Sequence, residues 1–267
     1  MTVTFQLPIT FAVGGVATQP LVNIDQVRVH VVLLALFFQL RKAVEADGQD
    51  WAFFVNGAVD RFSEWAQKVE REGYTTPTLD VAMVWHTYML NPLTFASDAE
   101  RIDCLKPLDA FAMDDIVEAL STTTITTEVV AVAETSLPFS IDLAAAVQRQ
   151  GGFIERVVRF GWTADGFFDA IEPANGLVSA IARYHAFLDL VRTVPGIPTM
   201  DVDLVWHTHQ LMGETYRRDT ARLVGRVLNH NDDVERMGGR EVMKQRFDTT
   251  TAAWKARFGI AYSNSNE

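Results

Sequence analysis

The chain lacks most of the features from which chemistry is read quickly. Among its 267 residues there is one cysteine, Cys104; a single thiol excludes an internal disulfide framework and fits a reducing compartment. With no second cysteine and no base beside it in sequence, Cys104 reads as buried rather than nucleophilic. There is no Gly-x-Gly-x-x-Gly ahead of a helix, no phosphate-binding loop, no Gly-x-Ser-x-Gly elbow and no Cys-x-x-Cys pair. The usual nucleotide and flavin sites therefore have no support, and no cofactor is expected.

Positive charge is scarce as well: 23 Lys and Arg stand against 34 Asp and Glu, for a formal charge of −11. Sequence-independent nucleic-acid binding needs basic surface to displace counterions. The densest cationic stretch, Arg217, Arg218, Arg222 and Arg226, is spaced like one solvated helix face, so no nucleic-acid partner is expected. The longest apolar run, residues 31–38, is flanked by Asp25, Arg28, Gln39 and Arg41 and falls far short of the ~20 residues of a membrane span. The opening MTVTFQLPITFAVGG has neither the charged n-region nor the unbroken apolar h-region of a secretory signal. These readings predict a cytoplasmic protein with no membrane partner.

What the chain does have is repetition. PTLDVAMVWHTYML at 77–90 and PTMDVDLVWHTHQL at 198–211 align without a gap at an offset of 121 residues, which also sets Phe95 on Tyr216 and Asp98 on Asp219. Upstream, DRFSEW at 60–65 resembles ARYHAF at 182–187, and NID at 23–25 and SID at 140–142 open the two copies. Apolar residues at helical spacing predict helices over 24–46, 49–71, 177–191, 216–228 and 242–258, with another from an N-cap at Ser140 toward Arg159. Residues 121–138, rich in β-branched side chains, read as a linker or a short strand pair, and the N-terminal stretch as a strand or an arm. The expected fold is mainly α: two related helical halves from an internal duplication in one globular domain over 1–267. Copy 1 spans about 23–120, the linker 121–138, copy 2 about 139–228, and C-terminal helices 229–267.

These residues resemble the glycine-rich-domain-containing-protein-like family of plants and fungi, a domain of unknown function. Its mark is an Arg-Tyr or Arg-Phe helix, a Pro-x-x-Asp step, and Trp-His-x-His-x-Leu followed by an aromatic and an Asp. Here these are Arg183, Tyr184, Pro198, Asp201, Trp206, His207, His209, Leu211, Tyr216 and Asp219. The first copy has Arg61, Phe62, Pro77, Asp80, Trp85, His86, Leu90, Phe95 and Asp98. Tyr88 stands where the first copy's second histidine would be, Gly213 replaces a customary proline, and the glycine-rich region is missing. The resemblance implies a helical fold and, for a stand-alone fungal form, a role in specialised metabolism.

In a helix at ~100° per residue, His207 and His209 project about 160° apart and cannot grip one ion together. Asp203, one turn before His207, can instead orient its imidazole and favour the charged form. Asp203 and His209 are the ionisable groups that the second motif has and the first lacks, its counterparts being Ala82 and Tyr88. The expectation is a cofactor-independent small-molecule enzyme, a lyase, isomerase or cyclase, with His207, His209, Asp203 and Tyr216 as acid/base groups. Trp206, Trp85, His86, Tyr88 and Tyr184 would line an aromatic pocket for the small-molecule partner, with Asp80 and Asp201 structural. Two alternatives stay open. One is a non-catalytic helical module, binding a protein or an apolar ligand, in which the Trp-His motifs are structural. The other is a metal-dependent enzyme, whose ligands would come from separate helices, for example His207 with His86; no metal ligand is assigned. His30 reads as one position on an apolar helix, and His185 as lining the same cleft.

Overall fold

The computed structural model describes residues 10–121, 125, 127, 137–164, 166–167, 171–230 and 238–262. The proposed linker at 121–138 lies almost wholly outside this set. Its elements are a hairpin of β1 (Phe11–Val13) and β2 (Val16–Thr18), then α1 (Ile24–Ala46), α2 (Trp51–Glu72), α3 (Leu79–Met89) and α4 (Pro92–Arg101). A short 3-10 helix (Asp103–Leu108) and α5 (Met113–Ser121) come next, then α6 (Leu143–Arg159), α7 (Ile171–Leu190), α8 (Met200–Gln210), α9 (Glu214–Val224) and α10 (Gly239–Phe258). The protein is mainly α. Among the described residues, no helix is long and apolar enough to cross a membrane.

The helices begin and end where side-chain chemistry says they must. The Asp50 carboxylate takes the Phe53 N–H at 2.7 Å and starts α2, satisfying an amide that has no partner within the helix. Gly73, at φ 93°, ends it. Along one face of α2 lie Phe54, Val55, Ala58, Phe62, Trp65, Ala66 and Val69, all buried, at the spacing of an amphipathic helix. At α6 the sequence expectation fails: the N-cap is Asp142, which accepts from Ala145 N at 2.9 Å, whereas Ser140 turns to Asp98. Both residues suit a cap, and the competing partner, 42 residues away in sequence, decides between them.

Helix α3 is buried on every side, from Leu79 to Met89, and in α8 residues 204–210 are likewise all buried. Helices buried on every side lie in the middle of a core, and the polar side chains they carry need partners there. The described chain divides into two compact units. The α3 unit comprises α1 from Arg28, α2 to α6, and the turn Leu211–Glu214; in it α3 packs on α2, α4 and α6. The α8 unit comprises the hairpin and α7, α8, α9 and α10, with α7 against α8 and β1. In the hairpin, Phe11 pairs with Thr18 and Val13 with Val16. Its two-residue loop is Gly14-Gly15 at φ 59° and 77°, a turn that needs positive φ twice.

Candidate imidazole–carboxylate site

Each Trp-His motif is first of all a set of ties. Arg61 Nε donates to Asp80 Oδ2 at 2.5 Å, fastening α2 to α3, and Arg183 Nε donates to Asp201 Oδ2 at 2.7 Å, fastening α7 to α8. Each guanidinium also lies over a ring, Arg61 on Phe54 and Arg183 on Trp254. Asp201, in the first turn of α8, takes the Thr199 hydroxyl on its other oxygen. The indoles behave alike. Trp85 donates to the Leu108 carbonyl at 3.0 Å; Trp206 donates at 2.8 Å to the Tyr216 hydroxyl, which donates in turn to the Leu228 carbonyl at 2.7 Å. The Tyr216 proton is thus committed, and burial pushes the phenol well above its usual pKa.

The position that differs between the motifs, 88 or 209, faces an aspartate in both. Tyr88 donates to Asp98, a fully buried carboxylate that also takes the Ser140 N–H at 2.8 Å, the Ser140 hydroxyl at 2.5 Å and Arg101 at 2.6 Å. His209 turns Nε2 toward Asp219 Oδ2 at 3.6 Å, while its Nδ1 lies 2.8 Å from the Tyr184 hydroxyl. The carboxylate places the proton on Nε2, so Nδ1 accepts from Tyr184. Burial lowers the His209 pKa against the pull of Asp219, and the His209 imidazole beside it holds Asp219 below the usual carboxylate range.

The shared histidine, 86 or 207, meets a second imidazole in each unit. His86 Nε2 is 2.9 Å from His30 Nε2, and burial lowers the pKa of both, that of His30 to about 3. His207 Nε2 is 3.0 Å from His230 Nε2. Here a carboxylate joins: Asp203 Oδ1 lies 3.4 Å from His207 Nε2 and 3.7 Å from His230 Nε2. Among the described residues, this is the grouping of at least three His, Cys, Asp or Glu donors close enough to hold one metal ion.

His207 and His86, the example of metal ligands drawn from separate helices, each meet another imidazole within their own unit. His30 lies on α1, as its sequence suggests, and meets His86 there. The His185 imidazole is held on both sides: its Nδ1–H donates to the Ile181 carbonyl at 2.7 Å, its Nε2 accepts the Leu21 N–H at 3.2 Å, and its ring stacks on Phe11. Sequence reasoning missed His230 as a site member, since it stands 23 residues beyond His207 outside any helix and no periodicity marks it. Asp219 as the partner of His209 was within reach, because the repeat aligns that pair with Tyr88 and Asp98.

The fold and site define a mainly helical protein with paired Trp-His motifs, one of them enlarged into an imidazole–carboxylate cluster. Residues 107–219 match the family model described as glycine-rich domain-containing protein-like, so the chain carries a domain of that family. That span takes in the second motif and Asp219, but neither the first motif nor His230. The chain is 32% identical over 219 residues to glycine-rich domain-containing protein 1 of Arabidopsis thaliana and 31% identical over 225 residues to glycine-rich domain-containing protein 2 of the same plant. Each match covers 72% of this chain and 26% of the relative, so the chain spans about a quarter of the length of the curated relatives it matches. No solved structure matches.

Proposed function

We propose that the α8 unit is a small-molecule enzyme centred on Asp203, His207 and His230, acting by acid–base chemistry of the lyase, isomerase or cyclase type. One contrast carries the reading. The Arg–Asp ties, the committed indoles and the paired imidazoles occur in both units, and features common to both are what the fold needs. Among the described residues, a carboxylate grouped with an imidazole pair occurs in the α8 unit alone. Asp203 sets an anionic oxygen 3.4 and 3.7 Å from the two imidazole nitrogens, and an acid–base centre needs such a neighbouring charge. Buried aromatics such as Trp206 shape the surroundings and keep the local dielectric low. In this reading Trp85, His86, Tyr88, Tyr184 and Tyr216 are scaffold, because their polar atoms are engaged within their own units.

A second reading, a non-catalytic module that binds a protein or an apolar ligand, is favoured by one observation: His207 and His209 are nearly fully buried. The experiment that separates the two compares wild type with His207→Ala and Asp203→Ala. Each is incubated with a complex small-molecule extract, and substrate loss and product gain are followed by mass spectrometry. Conversion by wild type that both variants lose while remaining folded supports the enzyme; identical extracts before and after incubation with wild type support the module.

A further inference from the structure

We infer that Asp203, His207 and His230 bind a single zinc-type divalent cation. This rests on the reading of the cluster as the functional centre and names what it holds. The donor atoms Asp203 Oδ1, His207 Nε2 and His230 Nε2 form a triangle with edges of 3.0, 3.4 and 3.7 Å. Zinc takes imidazole nitrogen and carboxylate oxygen at about 2.0–2.2 Å and favours a tetrahedron, whose edges are then ~3.3 Å. The point equidistant from the three atoms lies ~2.0 Å from each, so an ion ~2.1 Å from all three stands ~0.7 Å out of their plane, the height a regular tetrahedron of that size requires.

Hydrogen bonding explains this arrangement less well. The imidazole contact at 3.0 Å uses one proton, and the carboxylate, at 3.4 and 3.7 Å, stands farther from both nitrogens than the roughly 2.7–3.2 Å of a well-made N–H···O bond. The α3 unit supplies the contrast. There His30 and His86 meet at 2.9 Å, and Ala82 stands where a carboxylate would be; a shared proton accounts for that pair.

The ligand sources also fit. Asp203 and His207 are one helical turn apart, so α8 presents both donors on one face, and the third comes from the segment after α9. Structural zinc sites close with four protein ligands, whereas three protein ligands leave a position for water or for an oxygen donor of the substrate. Two nitrogens and an oxygen without sulfur suit a borderline cation better than a soft one. The side chains of Asp203 and His230 are 16% and 10% exposed, more than the 1% of His207.

The test is a titration of metal-free protein with Co²⁺, followed by visible absorption, for wild type, Asp203→Ala and His230→Ala. Asp203→Ala installs the residue that α3 carries at the equivalent place, and circular dichroism verifies folding. One equivalent of cobalt with the intense absorption of a four-coordinate ion, displaced by Zn²⁺ and weakened at least tenfold in both variants, is expected. No binding, the weak absorption of a six-coordinate ion, or undiminished binding by the folded variants overturns the site. His207-dependent conversion that persists in metal-free protein overturns the metal and leaves the acid–base reading standing. Stoichiometric zinc without any conversion upholds the metal and overturns that reading.

Discussion

His209 faces Asp219 at 3.6 Å across one turn of chain between α8 and α9, and Tyr88 reaches Asp98 over the same sequence interval of ten residues. One interaction, an α-helical polar side chain on a carboxylate of the next helix, is made with an imidazole in one unit and a phenol in the other. The imidazole offers a second nitrogen, and Tyr184 occupies it.

The first prediction follows from that second nitrogen. His209→Phe leaves the buried Tyr184 hydroxyl without its acceptor, which costs about 1–3 kcal/mol. Thermal unfolding should show a drop of roughly 2–10 °C. Adding Tyr184→Phe should recover part of the loss, because an unmet polar group is then removed; a double variant less stable than the sum of the singles would contradict the contact.

Asp98 is the more demanding position, since its carboxylate serves Tyr88, Ser140 and Arg101 while fully buried. Asp98→Asn replaces an acceptor by a donor and removes the charge paired with Arg101, at about 3 kcal/mol. Ser140→Ala, which keeps the backbone N–H bond, should cost about 1 kcal/mol. Urea unfolding of both variants measures the ranking; equal penalties would place the stabilisation in packing instead.

Acid should loosen the N-terminal hairpin segment before it unfolds the rest. Burial lowers the pKa of His185 to about 4 and that of His30 to about 3, from an ordinary 6.5. Between those values the unfolded chain binds more protons than the native one, so this stabilisation is complete above about pH 6.5 and is lost as pH falls toward 4 and then 3. Once His185 Nε2 is protonated it no longer accepts the Leu21 N–H. Hydrogen-exchange protection of the Leu21 amide, measured from pH 7 to pH 4, should decline ahead of the core amides; protection that tracks the core throughout would refute the coupling.

Gly213, where the family resemblance implied a proline, is fixed by geometry. It sits at φ 55°, and a Cβ there would come within 2.0 Å of the Asp109 backbone oxygen. Gly213→Ala should destabilise by at least about 2 kcal/mol, part from the left-handed backbone and part from the clash. Gly213→Pro demands φ near −65° and should be worse. A chemical-denaturation midpoint unchanged in Gly213→Ala would show that the turn relaxes freely.

Local pattern made much of the fold legible. The helix read over 24–46 has the bounds of α1, and the one read over 49–71 lies within two residues of α2, because amphipathic spacing and a capping acid act over a few residues. Where several neighbours suit one role, as at Ser140 and Asp142, sequence gives the element and not its first residue. In the site, Asp203 and His207 were legible together because one helical turn relates them. His230 was not, since its place depends on how the chain returns after α9.

By itself the sequence determined a mainly helical chain with two Trp-His motifs, and it singled out 203 and 209 as the positions where the second motif gains ionisable groups. Periodicity and repetition are properties of neighbours along the chain, so they survive without coordinates. Tertiary structure alone decided that His30 meets His86, that His185 holds Leu21, and that His230 closes on His207 and Asp203. Those choices turn on distances of 3 to 4 Å between groups remote in sequence, and only the packed core sets such distances.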